Sequence, residues 1–195
     1  MGETKTRQQL LEELTELRQR VTELETLDAE RSQSDKMQAA LYRIASAVCA
    51  AEDMSEVYAA MHRIVGELLQ TQVFLIALYD ETTDLVSFPY QYDEITPDEP
   101  LEPRKLSGGD GFTEQTIRTG QPLMLSRETA LEMVQQDEGR ITGAFPESAL
   151  FVPLKRDQKT FGVMSVQSCT RRYDERDKAL LVFVSQHIAF ALERA

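Results

Sequence analysis

The hydrophobic positions near the start of the chain predict a long helix with a narrow apolar stripe. The stripe consists of Leu10, Leu14, Leu17, Val21 and Leu24, which are spaced alternately four and three residues apart. This is the heptad pattern of a coiled-coil seam, and the positions between these residues are mostly polar. Narrow stripes are typical of helix–helix interfaces, so we predict an intermolecular seam. An amphipathic helix that folds back on its own domain is the alternative.

A second apolar stripe follows the polar segment Asp28–Lys36. It consists of Met37, Leu41, Ile44 and Val48, and it lies one residue out of the first register. A helix shifts register in this way when its stripe turns towards a new partner, and here we predict packing on the domain that follows. The pattern divides the chain into a coiled-coil or signalling helix, residues 1–36, and a globular domain, residues 37–195.

Runs rich in β-branched and aromatic residues predict two β-hairpins in the globular domain. One joins Val73–Tyr79 to Leu85–Tyr92, and the other joins Ala149–Leu154 to Thr160–Ser168. We expect Pro153 at a strand end or bulge, and a close backbone neighbour at Gly162. Alternation within the first strand places Phe74, Ile76 and Leu78 under the helices and Leu75, Ala77 and Tyr79 on the opposite face.

Shorter elements are predicted around these hairpins. They are a helix capped by Asp53, a glycine-rich turn at Gly108–Phe112 that opens a short helix, an edge strand at Pro122–Ser126, a helix at Arg127–Gln136 and a final helix capped by Asp174. The acidic or Gly-containing segments Asp93–Pro103 and Asp137–Pro146 are expected to be the least ordered, and to act as a lid. For the glycine-rich turn, a simple flexible turn is favoured over an anion cradle.

Composition excludes several classes of function. The 195 residues are 42% hydrophobic, enough for a core, but no apolar run approaches the length that spans a bilayer. A net charge of −12 argues against binding to a phosphate backbone. The two cysteines form neither a disulfide framework nor a metal-ligand spacing, and a cytoplasmic location is expected.

Several segments, taken together and in this order, resemble the GAF domain family over roughly residues 37–195. They are FLIALYD with SFPY, GGDGFTEQTIRTGQPL, the hairpin ESALFVPLKRDQKTFGVMSVQS and the helix FVSQHIAFALERA. The last of these is most similar to GAF domains ahead of diguanylate cyclases or histidine kinases in bacterial sensors. The resemblance implies an α+β fold, in which an antiparallel sheet carries the terminal helices on one face and a small-molecule pocket on the other. It also implies a homodimer built from the terminal helices.

The cofactors known in this family are disfavoured by the residues at the matching positions. The motif of cyclic-nucleotide-binding members falls on Ser168, Cys169, Tyr173, Asp177 and Lys178, where only the Asp is kept. The segment DEGRITGAFPES lacks the cysteine that binds bilins. Haem or iron needs strong pocket ligands, whereas both histidines fall in helices, and a lone helical His62 is usually packed or solvated. Cys49 and Cys169 are expected to be inert thiols, so no cofactor, metal or catalytic residue is predicted.

The candidate pocket combines the face assignment with matching family positions. Its residues are Leu75, Tyr79, Tyr90, Phe112, Thr113, Phe145, Ser165 and Gln167. Free N–H groups at Phe112 and Thr113 could hold a carboxylate or phosphate. The predicted dimer interface joins the first apolar stripe to Leu181, Val184 and Ile188 of the final helix.

The function that fits these observations is non-catalytic signal input and dimerisation. The domain would sense a small molecule and pass the change through its terminal helices to an output domain, in the same natural chain or in another protein. A ligand-free dimerisation module with a filled pocket is the second hypothesis. An enzyme that uses Cys169 is a distant third.

Overall fold

The computed structural model describes residues 6–95, 100–136 and 146–194 and forms two compact units, residues 1–39 and 40–195. The first helix, α1 (Arg7–Ala50), begins in the first unit and ends in the second. In the first unit, the leucines and valine of the first apolar stripe are between 44% and 63% exposed. The stripe is therefore uncovered within a single chain.

The second unit alternates helices and strands in an α+β arrangement. After α1 come α2 (Met54–Leu69), β1 (Val73–Asp80), β2 (Leu85–Asp93), β3 (Arg104–Lys105), a 3₁₀ turn (Leu106–Gly108), α3 (Phe112–Thr119), β4 (Leu123–Ser126), α4 (Arg127–Gln136), β5 (Ser148–Arg156), β6 (Lys159–Ser168) and α5 (Glu175–Arg194). The predicted caps are present, since Asp53 accepts a hydrogen bond from the Glu56 N–H and Asp174 accepts from the Asp177 N–H.

The strands form a six-stranded antiparallel sheet in the order β3-β2-β1-β6-β5-β4. Both predicted hairpins are confirmed. The tighter one turns at Asp157 and Gln158, which have φ angles of 47° and 69°. Positive φ at both central positions is the turn geometry that matches the natural twist of two antiparallel strands. The chain thus brings β1 and β6, which are far apart in sequence, side by side in the centre of the sheet.

One face of the sheet, the helix face, is covered by α2, α5 and the end of α1. Its core includes Ile44, Val57, Met61, Ile64, Phe74, Ile76, Leu150, Val152, Met164, Val166, Leu181, Val184 and Ile188. Phe74 and Ile76 lie in this core, as alternation along β1 predicts, and Leu78 packs against it. The second apolar stripe of α1 also packs here through Ile44 and Val48, which confirms that part of the prediction.

The other face, the pocket face, carries a smaller core beneath α3. Its buried members are Ala77, Val86, Leu106, Ile117, Leu125, Ala149, Phe151 and Val163, and Tyr79, Phe88, Phe112 and Leu123 pack against them. Residues of β1 and β6 thus alternate between the two cores. A displacement of either strand affects both faces of the sheet.

Two details of the sheet bear on the sequence predictions. Pro153 lies inside β5 and not at its end, opposite Val163 of β6, but the pairing of β5 with β6 shifts register just after it, close to the expected bulge. It is tolerated because β4 pairs with β5 only as far as Phe151, so the outer edge of β5 is unpaired at the proline. Gly162 has the close neighbour that was predicted, since a Cβ there would lie 2.5 Å from the Ala77 carbonyl oxygen.

Candidate functional site

The strand register brings the central candidate residues into one row across the pocket face. Leu75 of β1 is paired with Ser165 of β6, Ser165 with Phe151 of β5, and Phe151 with Leu123 of β4. Residues paired across antiparallel strands share a face, so these side chains are neighbours. Ser165 is fully buried, and its hydroxyl has no hydrogen-bond partner among the described residues. These four residues are therefore apolar except for one unsatisfied hydroxyl, and Gln91 of β2, which pairs with Leu75, extends the row with an amide.

Helix α3 lies over this row and supplies the next two candidate residues. Phe112, its first residue, packs on Phe151 with ring centroids 5.7 Å apart. Thr113 is buried beside it, and the buried Thr116 donates from its hydroxyl to the Phe112 carbonyl at 2.8 Å. The start of α3 thus contacts the sheet next to Ser165, where a ligand on this face would lie.

A buried carboxylate, Glu114, occupies the start of α3. It is fully buried, and one oxygen, Oε1, accepts a hydrogen bond from Arg104 Nε on β3 at 2.5 Å. The Arg104 guanidinium also lies over the Phe88 ring, 4.8 Å from its centroid. The other oxygen, Oε2, has no partner among the described residues. This ion pair fastens α3 to the edge of the sheet.

The glycine-rich turn before α3 is shaped by Glu114. A Cβ at Gly109 would lie 2.8 Å from Glu114 Cγ, and one at Gly111 would lie 2.6 Å from Glu114 Oε2. Arg118 donates to the carbonyls of Leu106 and Gly109 at 2.6 and 2.5 Å. The glycines are therefore needed because the backbone passes close to the Glu114 carboxylate. The sequence had suggested either a simple flexible turn or a cradle for an external anion, and neither interpretation included this contact with a carboxylate of the protein itself.

The other candidate residues on the pocket face lie away from this centre. Tyr79 packs against the small core near the β1–β2 turn, and its hydroxyl donates to Asp84 Oδ1 at 3.3 Å. Gln167 is half-buried and pairs with Val73, one row further along β6. Phe145 lies outside the described residues. The structure therefore brings together Leu75, Phe112, Thr113 and Ser165, with Tyr79 and Gln167 towards the two ends of the strands.

The assignment of Tyr90 to the pocket is wrong. Tyr90 pairs with Ile76, whose side chain lies in the helix-face core, so Tyr90 lies on that face too. Its hydroxyl is 3.0 Å from His62 Nδ1 of α2, and its ring packs near Phe74 with centroids 5.9 Å apart. The family position had suggested the pocket, but the pairing with Ile76 could have placed Tyr90 correctly.

His62 is packed among aromatic side chains, as expected for a lone helical histidine. Its ring centroid lies 5.1 Å from that of Phe74 and 4.2 Å from that of Tyr92. Burial lowers the pKa of His62, and the nearby Glu94 carboxylate opposes this shift. Among the described residues, no group of three or more His, Cys, Asp or Glu side chains is arranged to hold a metal ion.

The assignment of Leu181, Val184 and Ile188 to the dimer interface is also wrong. All three are buried in the helix-face core of their own chain. The final helix has two apolar lines, and the line predicted to meet a partner is the one that covers the sheet. On the other line Phe183 and His187 are half-buried and Phe190 is 60% exposed.

Neither cysteine lies among the pocket residues. Cys49 is exposed on α1, and the half-buried Cys169 follows β6, with its backbone N–H donating to Gln72 Oε1 at 2.9 Å. Burial raises the pKa of the Cys169 thiol, which disfavours the reactive thiolate. In the parts of the chain that the structure describes, no helix is long and apolar enough to cross a membrane.

Comparison with known proteins identifies the family. The GAF domain model matches residues 51–193, and the chain therefore belongs to the GAF family. A search of curated proteins found no match.

Solved structures of similar fold include GAF domains of two phosphoenolpyruvate-protein phosphotransferases. The one from Acinetobacter has a TM-score of 0.63 at 17% identity, and the one from Coxiella burnetii has 0.66 at 15%; each comparison covers 82% of this chain and 94% of the other. Free methionine-R-sulfoxide reductase from Neisseria meningitidis, solved with its substrate, has a TM-score of 0.63 at 18% identity and covers 80% of this chain and 88% of its own. At these identities the likeness shows a shared fold.

Proposed function

We propose that this GAF domain is a non-catalytic signal-input module that binds a small molecule on its pocket face. The observation that carries the proposal is the Ser165 hydroxyl, which is fully buried in a mostly apolar row and has no hydrogen-bond partner in the part of the chain that the structure describes. A buried polar group without a hydrogen bond costs free energy, and such groups are concentrated where a protein binds something. A ligand that bonds to Ser165 would remove this cost.

The arrangement of β1 and β6 supports transmission of the binding event. Leu75 and Ser165 belong to the pocket face, whereas their neighbours Phe74 and Met164 lie in the core that holds α2 and α5. Close-packed cores respond to small displacements as a unit. A ligand that moves these strands would therefore shift the terminal helices, and through them an output domain in the same natural chain or in another protein.

The proposal includes a homodimer formed through terminal helices. In a parallel coiled coil of α1, Glu13 would face the partner's Arg18, and Arg20 would face the partner's Glu25. These pairs are opposite in sign, and each occurs twice by symmetry. A second contribution comes from the exposed line of α5 with Phe190, together with Tyr42 of α1, which is 76% exposed. Both are large apolar side chains that a partner would cover.

The dimer is tested by reversing the charges on the coiled coil. Replacing Arg18 and Arg20 with Glu puts like charges at all four pairs, each of which is worth about 0.2–1 kcal/mol when attractive. The double variant should dimerise more weakly at low salt and partly recover at high salt, because salt screens exposed charges. Sedimentation equilibrium measures both. Unchanged dimerisation at low salt would rule out the parallel pairing.

The non-catalytic part of the proposal rests on the cysteines. A sulfoxide reductase needs a reactive thiol beside its substrate, whereas Cys169 has a raised pKa and lies beyond the end of β6. If methionine sulfoxide were reduced by the purified protein, and if Cys169→Ser abolished that activity, the proposal would fail.

The second candidate is a ligand-free dimerisation module. It is favoured by the burial of Leu75, Phe151 and Ser165 by the protein itself, with Phe112 already packed on Phe151. To distinguish the two candidate functions, the purified protein is mixed with a small-molecule extract of the source cells and measured by native mass spectrometry. A bound mass that denaturation releases supports ligand sensing. A mass equal to that of the protein alone, even with the extract present, supports the ligand-free module.

A further inference from the structure

The polar groups around the candidate pocket restrict the charge of its ligand. Anions bind at helix N-termini, where backbone N–H groups are free and the helix dipole is positive. The start of α3 is the helix N-terminus beside the Ser165 row, since Phe112 packs on Phe151 and Phe151 pairs with Ser165. This is the place at which an anionic ligand would be expected.

The start of α3 already holds a carboxylate of the protein itself. Glu114 is the third residue of α3, fully buried, and its carboxylate lies against Gly109 and Gly111 at the helix start. A carboxylate or phosphate ligand would have to lie beside this buried charge, and like charges at a recognition site are strongly unfavourable. Arg104 balances the charge of Glu114, since its Nε donates to Glu114 Oε1 at 2.5 Å, and so neither member of this ion pair is left to balance the charge of a ligand.

The row itself offers no ionisable side chain that could balance the charge of a ligand of either sign. Gln91, Leu75, Ser165, Phe151 and Leu123 line up across the sheet, and none of them is ionisable. At one end of the row, Gln91 Oε1 already accepts a hydrogen bond from the Leu101 N–H at 2.9 Å. A charge buried among apolar side chains without a partner is costly, whereas a neutral polar group needs only one good hydrogen bond.

We infer that the ligand of this GAF domain is a neutral, mostly apolar small molecule with one hydrogen-bonding group, which pairs with the Ser165 hydroxyl while Glu114 excludes anions. This rests on the proposed function and adds the chemical class of the ligand. Leu75, Phe151 and Leu123 contact its apolar part. Glu114 acts as a selectivity residue from the start of α3 and has no role in a reaction.

The experiment compares the binding of three probes to the full chain. The probes have similar shapes but differ in charge. Benzyl alcohol is neutral, benzoate is anionic and benzylammonium is cationic at neutral pH. Methyl NMR follows Leu75 on the pocket face, with titration giving the dissociation constant of each probe. We expect benzyl alcohol to shift the Leu75 methyl signals saturably and to bind at least about tenfold more tightly than either ion.

Two variants, each with a matched control, test whether Ser165 and Glu114 cause the preference for the neutral probe. Ser165→Ala should weaken benzyl alcohol about three- to tenfold, the range for one lost hydrogen bond. Its control is Ser87→Ala, because the Ser87 hydroxyl donates to the Leu78 carbonyl at the β1–β2 pairing and away from the row. Glu114→Gln should strengthen benzoate at least about tenfold by removing the like charge. Its control is Glu67→Gln, which removes an arginine-paired carboxylate on α2.

The outcomes separate this inference from the proposed function. Benzoate or benzylammonium binding as tightly as benzyl alcohol, or Glu114→Gln leaving benzoate unchanged, overturns the inference about charge and leaves a ligand site in place. If no probe of any charge shifts the Leu75 signals, the ligand site itself fails, and the inference fails with it.

Discussion

The two faces of the sheet show how one set of strands serves two purposes. The helix face buries large apolar side chains such as Phe74, Ile76 and Met164 beneath α2 and α5. The pocket face has a smaller core, and beside it lie fully buried polar residues, Glu114, Thr116 and Ser165. An apolar core supplies most of the free energy of folding, whereas buried polar groups reduce it unless they are paired. The helix face therefore supplies most of the free energy of folding, and the proposed ligand site lies on the other face.

The largest expected effect comes from breaking the helix face. Phe74→Ala removes a fully buried ring from the centre of its core and should lower the free energy of unfolding by about 3–5 kcal/mol. Phe151→Ala on the pocket face should cost less, because its ring partner Phe112 is only half-buried and more free to move into the space. Urea denaturation of both variants measures the comparison. An equal or larger loss for Phe151→Ala would contradict a division of the sheet into a stable face and a functional face.

The next effect comes from the contact between the two central strands. In Gly162→Ala the new methyl group would lie 2.5 Å from the Ala77 carbonyl oxygen, and backbone on the neighbouring strand gives way only at a cost. We expect a loss of about 1–3 kcal/mol by thermal or chemical denaturation. Gly108→Ala is the control, because nothing lies within 4 Å of a Cβ there. Equal stability of the two variants would show that β1 and β6 are less tightly coupled than the geometry requires.

The pocket face should respond in the opposite direction. Ser165→Ala removes a buried hydroxyl that has no partner among the described residues, so it should raise the free energy of unfolding by about 1 kcal/mol while weakening ligand binding. Calorimetry of the ligand-free protein gives the stability change. A destabilised Ser165→Ala variant would mean that the hydroxyl is paired in solution, and its functional interpretation would lose its basis.

The sequence was sufficient to predict those features of the two faces that depend on local residue patterns. Alternation along β1 assigned Phe74 and Leu75 to their correct faces, and the hairpins, caps and edge strand follow from residue types that act over a few positions. The mistakes arose where tertiary pairing decides. Tyr90 was assigned to the pocket from its family position and not from its pairing with Ile76. Helix α5 has two apolar lines, and its sequence alone does not show which of them packs on the sheet. The structure shows that the line containing Leu181 is the buried one.

The proposed selectivity residue, Glu114, was missed for a similar reason. Glu114 looks like an ordinary solvated carboxylate in the first turn of a helix, and nothing local indicates that it is buried. Its partner Arg104 lies on β3, a strand of only two residues that has no pattern of its own. Gly109 and Gly111 carried the one available signal, because two glycines just ahead of a glutamate are consistent with close approach to its side chain.

The smallest expected effect is a pH dependence on the helix face. Because burial lowers the pKa of His62 below its ordinary value of 6.5, the unfolded chain takes up a proton first as the pH falls. The free energy of unfolding should therefore decrease as the pH falls below 6.5 and level off below the folded-state pKa of His62. His62→Phe should lack this decrease in the free energy of unfolding below about pH 6.5. Parallel pH profiles for the two proteins would mean that His62 is not the source.

The central claim is that a ligand on the pocket face changes the packing of the helices on the other face. Methyl NMR tests it most directly by following Leu75 beside Ser165 and Ile188 of α5 in one titration, since the two lie on opposite faces of the sheet. The account predicts that both signals change together and give the same dissociation constant, whether the ligand is benzyl alcohol or a molecule recovered from the source cells. If Leu75 titrates while Ile188 stays unchanged at saturation, the pocket face binds without signalling, and the claim is contradicted.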